Sequence, residues 1–256
     1  MKYSLYIIIG MLFLSQHTFA QANENKDDEK PKADNIWQVE VMGSYDKSLA
    51  DYAIRFGNGF RIGGGVKYKT KKNLVFGGKF LFIVGGKVKE PGLLQNVYTP
   101  INGGIINQYG ELLNIGVFQR GYMFGFDAGK VFSLKESEPN NGILALSGIG
   151  FIQHKINLFD RDNNIPQLKG EYKKGYDRLT NGLYLHQFVG YQHYSGNKLI
   201  NYFIGLDFTW GFTQGRRDYW FDLAKPGNDK RNDLMFGIHA GWIIPFYNKN
   251  AEEIFY

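Results

Sequence analysis

The histidine and serine side chains are the first candidates for catalytic residues in this chain. The histidines beyond residue 20 are His154, His186, His193 and His239. A hydrolase built on a strand would use a histidine two positions from a serine, because the ring then acts as general base for the hydroxyl nucleophile. His193 and Ser195 have that spacing. The pair keeps a lipid-modifying enzyme open as an alternative, but serine is common in turns, so a non-catalytic role is favoured.

The sequence shows no pattern for a cofactor or a metal. It has no cysteine, which excludes thiolate metal sites, disulfides and a cysteine nucleophile. The glycines at 63–65 lie within a strand pattern with no helix after them, unlike a phosphate-binding loop. Residues 160–164 lack the central glycine and terminal glutamate of a calcium loop. We therefore predict no catalytic, cofactor-binding or metal-binding residue. The net charge of +6 is spread along the chain, so nucleic acid is not expected as a partner.

Two long alternating segments must position whatever polar groups this chain uses. Residues 199–212 and 234–246 place large apolar side chains at even positions and mostly small or polar ones at odd positions. This period of two indicates strands with two different faces. Ordinary strands have about five or six residues, whereas about ten tilted residues cross a bilayer core. The segments predict membrane-spanning strands, although a soluble sandwich would bury the same face against a second sheet.

Six further segments carry the same alternation. They are residues 36–45, 59–69, 74–88, 112–134, 142–159 and 179–194. Within 142–159, Leu144 and Leu146 disagree in phase with Ile149 and Phe151, which predicts a bulge or kink near Gly148. The eight segments together predict an all-β fold, a transmembrane up-and-down antiparallel β-barrel over residues 36–247.

The two ends of the chain differ from the predicted barrel. Residues 1–20 combine an early lysine, a short apolar run and a small-residue exit, as in a cleaved signal peptide. Residues 21–35 are charged and nearly without apolar side chains, which indicates a flexible tail. Residues 248–256 form a second tail. No later segment approaches the ~20 apolar residues of a membrane helix, so a membrane location requires a closed barrel.

The connections between the predicted strands alternate in length. Residues 70–73, 135–141 and 195–198 are short turns, whereas residues 46–58, 89–111, 160–178 and 213–233 are longer. Outer-membrane barrels have short periplasmic turns, longer outer loops and an even number of strands. The pattern therefore predicts an outer-membrane location with both termini in the periplasm.

On these features the sequence resembles the small eight-stranded outer-membrane β-barrel proteins of Gram-negative bacteria. Residues 19–21 (Phe-Ala-Gln) and the aromatic-rich strands look like those of bacteria with type IX secretion. In such barrels an aromatic-ended last strand is the assembly signal, and Trp242, Ile244 and Phe246 supply that pattern here. Residues 254–256 (Ile-Phe-Tyr) could also serve.

The strand faces opposite the apolar ones carry the polar side chains. They are Gln38, Glu40, Arg61, Lys67, Lys79, Asp127, Asn201, Asp207, Thr209 and His239. The charged members, with His239, form the predicted network. An eight-stranded lumen is just wide enough to be filled by side chains. We therefore predict a plugged lumen in which these residues pair with one another, with a narrow channel as the alternative.

Aromatic residues indicate the contacts of the outer surface. Trp37, Trp210 and Trp242 are predicted to form an aromatic girdle against outer-membrane lipid. Within residues 213–233, the predicted partner-binding loop carries Arg216, Arg217, Tyr219, Trp220 and Phe221. Arginines and aromatics are enriched in protein interfaces, though these aromatics suit a headgroup belt equally well. We predict an accessory or scaffolding subunit of an outer-membrane complex, with other outer-membrane or periplasmic proteins as partners.

Overall fold

The computed structural model of this chain describes residues 32–99, 104–161, 164–195 and 200–247. The predicted signal peptide, most of the N-terminal tail, the turn at 196–198 and the C-terminal tail lie outside these residues. None of the described helices has the length and apolar composition to cross a bilayer.

The described residues form twelve strands and three short helical segments. In chain order the strands are β1 (Ile36–Leu49), β2 (Gly59–Lys69), β3 (Leu74–Gly85), β4 (Ile105–Ile106), β5 (Leu112–Leu113), β6 (Gly116–Ser133), β7 (Gly142–Phe159), β8 (Thr180–His193), β9 (Tyr202–Gly215), β10 (Arg217–Trp220), β11 (Lys225–Gly227) and β12 (Lys230–Tyr247). The helices are α1 (Ala50–Arg55), a 3₁₀ turn (Pro166–Leu168) and α2 (Gly170–Lys174).

Eight of these strands close into one barrel. Its order is β1, β12, β9, β8, β7, β6, β3, β2, so each strand pairs antiparallel with its neighbours in the chain and β1 pairs with β12 to close the ring. The remaining strands form two small hairpins, β4 with β5 and β10 with β11. The predicted eight-stranded up-and-down barrel is confirmed.

The alternation of the sequence separates the two faces of the sheet. In β1, for example, Trp37 and Val39 are exposed, whereas Gln38 and Glu40 are buried. The inward face also carries large apolar side chains, among them Met123, Tyr184 and Phe203. Side chains therefore fill the lumen, as predicted, and the outer wall is largely apolar.

The predicted bulge near Gly148 was wrong. Strand β7 pairs with β6 without a shift of register from Gly142 to Phe159. Leu144 and Leu146 point inward while Ile149 points outward, because this strand is apolar on both faces. Gly148 continues the inward row and leaves room for the carboxylate of Asp127. A strand with two apolar faces looks like a change of phase in the sequence.

Other strand ends also differ from the expected ones. Strand β1 continues four residues past Tyr45 to Leu49, and its extension buries Asp46 and Ser48. Strand β3 ends at Gly85 rather than at residue 88. The region 213–233 is largely paired, since β9 and β12 continue into it and the β10–β11 hairpin forms its tip.

The connections fall into two groups at opposite ends of the barrel. The short turns and the start of β1 and end of β12 share one end, here called the short-turn end. The helices and the two small hairpins lie at the other end, the cap end. At the short-turn end the backbone N–H of Asp34 donates to Asn140 (3.1 Å) and that of Lys71 donates to Asn35 (2.9 Å), so the residues before β1 contact the turns.

The inward glycine at 148 allows a test of the packing. A Cβ there would collide with Asp127 Oδ1, and we expect Gly148→Ala to lower the free energy of unfolding by about 1–3 kcal/mol. Gly78→Ala is the matched control, because its Cβ would lie 3.7 Å from the nearest atom, the Gly125 carbonyl oxygen. Urea unfolding in lipid vesicles, followed by tryptophan fluorescence, measures both. Equal stability of the two variants would contradict the packing.

Candidate functional site

The lumen holds a cluster of charged side chains at mid-height. Arg61 of β2 makes two hydrogen bonds to Asp46 of β1, Nε to Oδ2 at 2.8 Å and Nη2 to Oδ1 at 2.6 Å. Its Nη2 also donates to Asp207 Oδ1 of β9 at 2.7 Å. All three side chains are buried. Charge-assisted bonds of this geometry are the strong class of hydrogen bond, so Arg61 holds three strands together.

A second cation and a histidine extend the cluster. Lys79 of β3 pairs with Asp127 Oδ2 of β6 at 2.9 Å. The His186 ring of β8 lies between two carboxylates, with Nδ1 3.0 Å from Asp127 Oδ1 and Nε2 2.5 Å from Asp207 Oδ2. His239 of β12 approaches the same Asp207 oxygen at 3.1 Å. The cluster therefore includes residues from seven of the eight barrel strands.

The charged groups of this cluster pair with one another. Arg61 and Lys79 are the cations, and Asp46, Asp127 and Asp207 are the carboxylates. The His186 ring lies between two of those carboxylates and bonds to both. Pairing matters because an unpaired charge in a low-dielectric interior is costly. The cluster is thus a hydrogen-bonded network rather than an open site for an ion.

A separate ion pair lies nearer the short-turn end. Lys67 Nζ of β2 is 2.6 Å from Glu40 Oε2 of β1, and both side chains are buried. The ammonium also lies 5.2 Å from the centre of the Phe203 ring. Below it, Gln38 Nε2 donates to the Tyr194 hydroxyl at 2.5 Å. This layer closes the lumen toward the short-turn end.

Three of the lumen residues have the composition of a metal site. One ligand atom each from His186, Asp207 and His239 lie within 4.8 Å of one another. The shared Asp207 oxygen already bonds to both rings, however, and Lys79 Nζ lies 2.9 Å from His186 Nδ1. A divalent cation would have to displace a proton from the hydrogen bonds between Asp207 and the two rings. It would also lie beside the ammonium of Lys79 and the guanidinium of Arg61. These contacts favour a hydrogen-bonded network over metal binding.

The seven lumen residues named from the sequence all lie inside the barrel, and the structure adds others. The alternation would have reached Asp46 if β1 had been extended past Tyr45. His186 lies in the inward row of β8, opposite in phase to Leu183 and Leu185, so the same rule would have found it. His154 pairs with Asp233 at 2.8 Å closer to the cap end. No sequence signal indicated that particular pairing.

The cap end is closed by a stack of arginines on a tryptophan. The guanidinium carbons of Arg55 and Arg178 lie 5.7 and 4.4 Å from the centre of the Trp220 ring. Arg55 Nε pairs with Glu90 at 2.8 Å, and Arg178 Nη2 pairs with Asp222 at 2.5 Å. Burial, reinforced by the nearby Arg231, lowers the pKa of Arg55 to about 10, against the opposing effect of Glu90. The connections therefore form an ordered cap.

The predicted partner-binding loop divides between this stack and the surface. Trp220 is 4% exposed and belongs to the stack, contrary to the exposed position expected from its neighbours. Tyr219 and Phe221 are exposed, and so is Arg216, which donates to Asn181 at 2.6 Å. Arg217 pairs with Asp177, and this hydrogen bond raises the pKa of the arginine. Trp220 turns inward at the end of β10, where the pairing with β11 shifts register between Arg217 and Trp220.

The predicted girdle residues and the histidine–serine pair lie toward the outer wall. Trp37 and Trp242 are 52% and 56% exposed, and Trp210, on the same face, is partly exposed. The His193 ring lies 5.4 Å from the ring of Tyr202, which is on the exposed face. Ser195 follows in the turn at the short-turn end, where its backbone N–H donates to Asn201 Oδ1 at 3.0 Å.

Comparisons with known proteins add little beyond the fold. No family model and no curated protein matches this chain. Among solved structures, Neisserial surface protein A is 12% identical, with a TM-score of 0.47 over 82% of this chain and 97% of its own. Ail of Yersinia pestis, in complex with the heparin analogue sucrose octasulfate, is 12% identical, with a TM-score of 0.39 over 82% and 99%. The N-terminal barrel domain of Pseudomonas aeruginosa OprF is 12% identical, with a TM-score of 0.36 over 82% and 98%. Similarity this weak carries no argument about function.

The charge network is tested by removing one charge without changing the shape. We expect Asp207→Asn to lower the free energy of unfolding by about 3–5 kcal/mol, because Arg61 would lose one of its two carboxylates inside the barrel. Asp218→Asn, on the exposed β10 strand, should change it by less than about 0.5 kcal/mol. Urea unfolding in lipid vesicles compares them, and an Asp207→Asn barrel as stable as the control would refute the network's role.

Proposed function

We propose that this protein is a non-catalytic, integral barrel of the bacterial outer membrane that works as an accessory or scaffolding subunit of an outer-membrane assembly. The observation that carries the proposal is a barrel that is apolar outside and filled inside, closed by an ordered cap. The sequence resemblance suggests type IX secretion as the machinery, and barrel insertion is the other candidate.

The membrane location is supported by the outer wall. Phe82, Leu183 and Ile238 are each 57–58% exposed, and similar side chains cover every barrel strand. Fully burying one such side chain is worth about 1.5–3 kcal/mol, so a wall of them in water would be very unfavourable. Closure also leaves no unpaired sheet edge, as hydrocarbon requires. Both termini would be periplasmic, because they share the short-turn end.

The interior supports a role other than transport or catalysis. Ion pairs and large apolar side chains occupy the lumen from Lys67 to Trp220, which leaves the narrow channel as the weaker alternative. The enzyme alternative depends on His193 and Ser195. They lie at the short-turn end, away from the outer leaflet that a lipid-modifying barrel would process.

The cap offers the surface for a partner. Tyr172 of α2 and Tyr219 of β10 flank Phe221, with ring centres 6.5 and 6.2 Å from it. These rings and Leu223 are exposed side by side on an ordered support. Exposed aromatic groups on a rigid base are typical anchors of protein interfaces. The proposed partner is therefore another envelope protein that docks on this aromatic patch.

The membrane location is tested in lipid vesicles, and the filled lumen is tested in planar bilayers. The purified barrel should insert into lipid vesicles and resist extraction by carbonate, because its wall is apolar. It should give no discrete conductance steps, because paired side chains occupy the lumen. Steady single-channel steps would favour the narrow channel instead, and failure to insert would refute the membrane location.

The aromatic patch is tested in the native membrane. A photo-crosslinking residue placed at Leu223 should capture one specific envelope protein, and Tyr219→Ser/Phe221→Ser should reduce that capture at least tenfold. Tyr109→Ser, which changes an exposed tyrosine on the β4–β5 hairpin, is the matched control and should leave capture unchanged. Capture that is equal in all three proteins would contradict docking at this patch.

A further inference from the structure

The outward face of the barrel carries charges of one sign. Its charged residues, read from the alternation of the eight barrel strands, are Lys47, Arg120, Lys130, Lys155 and Lys230. No aspartate or glutamate faces outward on these described strands, whereas Glu40 and Asp46 both face inward. The charges of these strands are therefore sorted by face: the carboxylates point into the lumen, and the few charged side chains on the wall are all cations.

The cations are also sorted along the barrel axis. Lys47 lies near the end of β1, Arg120 near the start of β6, Lys155 near the end of β7 and Lys230 at the start of β12. All four positions lie toward the cap end of their strands, at the margin of the apolar belt, which Phe118 and Phe159 still extend on β6 and β7. Lys130 is the one at the short-turn end. The cap-end rim of the wall thus forms a basic collar, defined by these four residues.

Two members of the collar are direct neighbours. Arg120 and Lys155 face each other in the register of β6 and β7. Side chains opposed in this way have Cβ atoms about 5 Å apart, and like charges there destabilise a sheet. The Arg120 guanidinium is contacted from its cap side, with its carbon 5.3 Å from the centre of the Phe118 ring and Nη1 bonded to the Gln119 carbonyl at 2.7 Å. The uncharged Gln153 and Asn181 lie beside them and offer further hydrogen bonds.

An anion between the two groups would turn this repulsion into attraction. A phosphate can accept a forked pair of hydrogen bonds from a guanidinium and a further one from an ammonium. The collar lies at the margin of the apolar belt. Lipid headgroups lie at that margin, so a phosphate bound by the collar would be at headgroup depth. Basic residues at that depth attract anionic lipid headgroups.

We propose that Arg120 and Lys155 form a binding site for the phosphate of an outer-leaflet lipid headgroup, with the rest of the collar adding attraction. The inference rests on the membrane location proposed above, and it adds a specific lipid contact to it. Acyl chains of the same lipid would lie on the apolar wall below, beside Phe124 and Phe151.

The site is tested with the barrel purified in a nonionic detergent. Native mass spectrometry would count bound diphosphoryl lipid A and compare it with the same lipid lacking both phosphates. We expect wild type to bind the phosphorylated lipid, and Arg120→Gln/Lys155→Gln to bind it at least tenfold more weakly. Lys130→Gln removes a cation from the short-turn end and should bind like wild type. Lys155→Gln alone provides a second variant if the double variant does not fold, and should weaken binding severalfold.

Three outcomes would overturn the proposal. They are equal binding by wild type and the folded variants, equal binding of the lipid without phosphates, and displacement of the lipid by inorganic phosphate at millimolar concentration, which would indicate a site for free phosphate. A barrel that inserts into vesicles but fails these tests would leave the scaffold proposal intact. Failure to insert would remove both proposals.

Discussion

The contact between Arg61 and Asp207 is the interaction on which this structure depends most. It crosses the lumen from β2 to β9 at 2.7 Å, and each partner bonds further, Arg61 to Asp46 and Asp207 to two histidines. In a closed barrel the inward polar groups have no access to bulk water, so they must satisfy one another. Ion pairs of this kind add little net stability by themselves, but breaking one leaves a charge stranded. The network therefore fixes how the strands stand relative to one another.

The position of the network also explains a residue on β7, the one barrel strand that contributes no member to it. Strand β7 supplies Gly148, whose missing side chain leaves space for Asp127. Nearer the cap end, buried polar side chains are also paired: His154 pairs with Asp233, and Arg178 packs on the Trp220 ring. Successive layers of paired polar and apolar side chains thus occupy the interior. Because the interior is occupied, the surfaces proposed for recognition are the outer wall and the cap.

The two surfaces proposed for recognition differ in chemistry because they face different surroundings. The collar lies on the apolar wall, where the proposed ligand is the phosphate of a lipid headgroup. The aromatic patch around Phe221 lies on the cap, where rings held by β10 and α2 are exposed. Both depend on the barrel as a rigid support, since the collar lies on the barrel strands themselves and the aromatic patch is held by the short elements β10 and α2.

The sequence by itself determined the fold class and the face of nearly every strand residue, because a period of two in side-chain polarity is a local property that needs no tertiary information. It predicted that Glu40, Arg61, Lys67, Lys79, Asp127, Asp207 and His239 point inward, and they do. Tertiary structure decided which of them pair, since partners such as Arg61 and Asp207 are 146 positions apart and meet through the stagger of the closed sheet. It also decided that Trp220 is covered and that β7 runs without a bulge, because those outcomes depend on neighbours that alternation along one strand does not reveal.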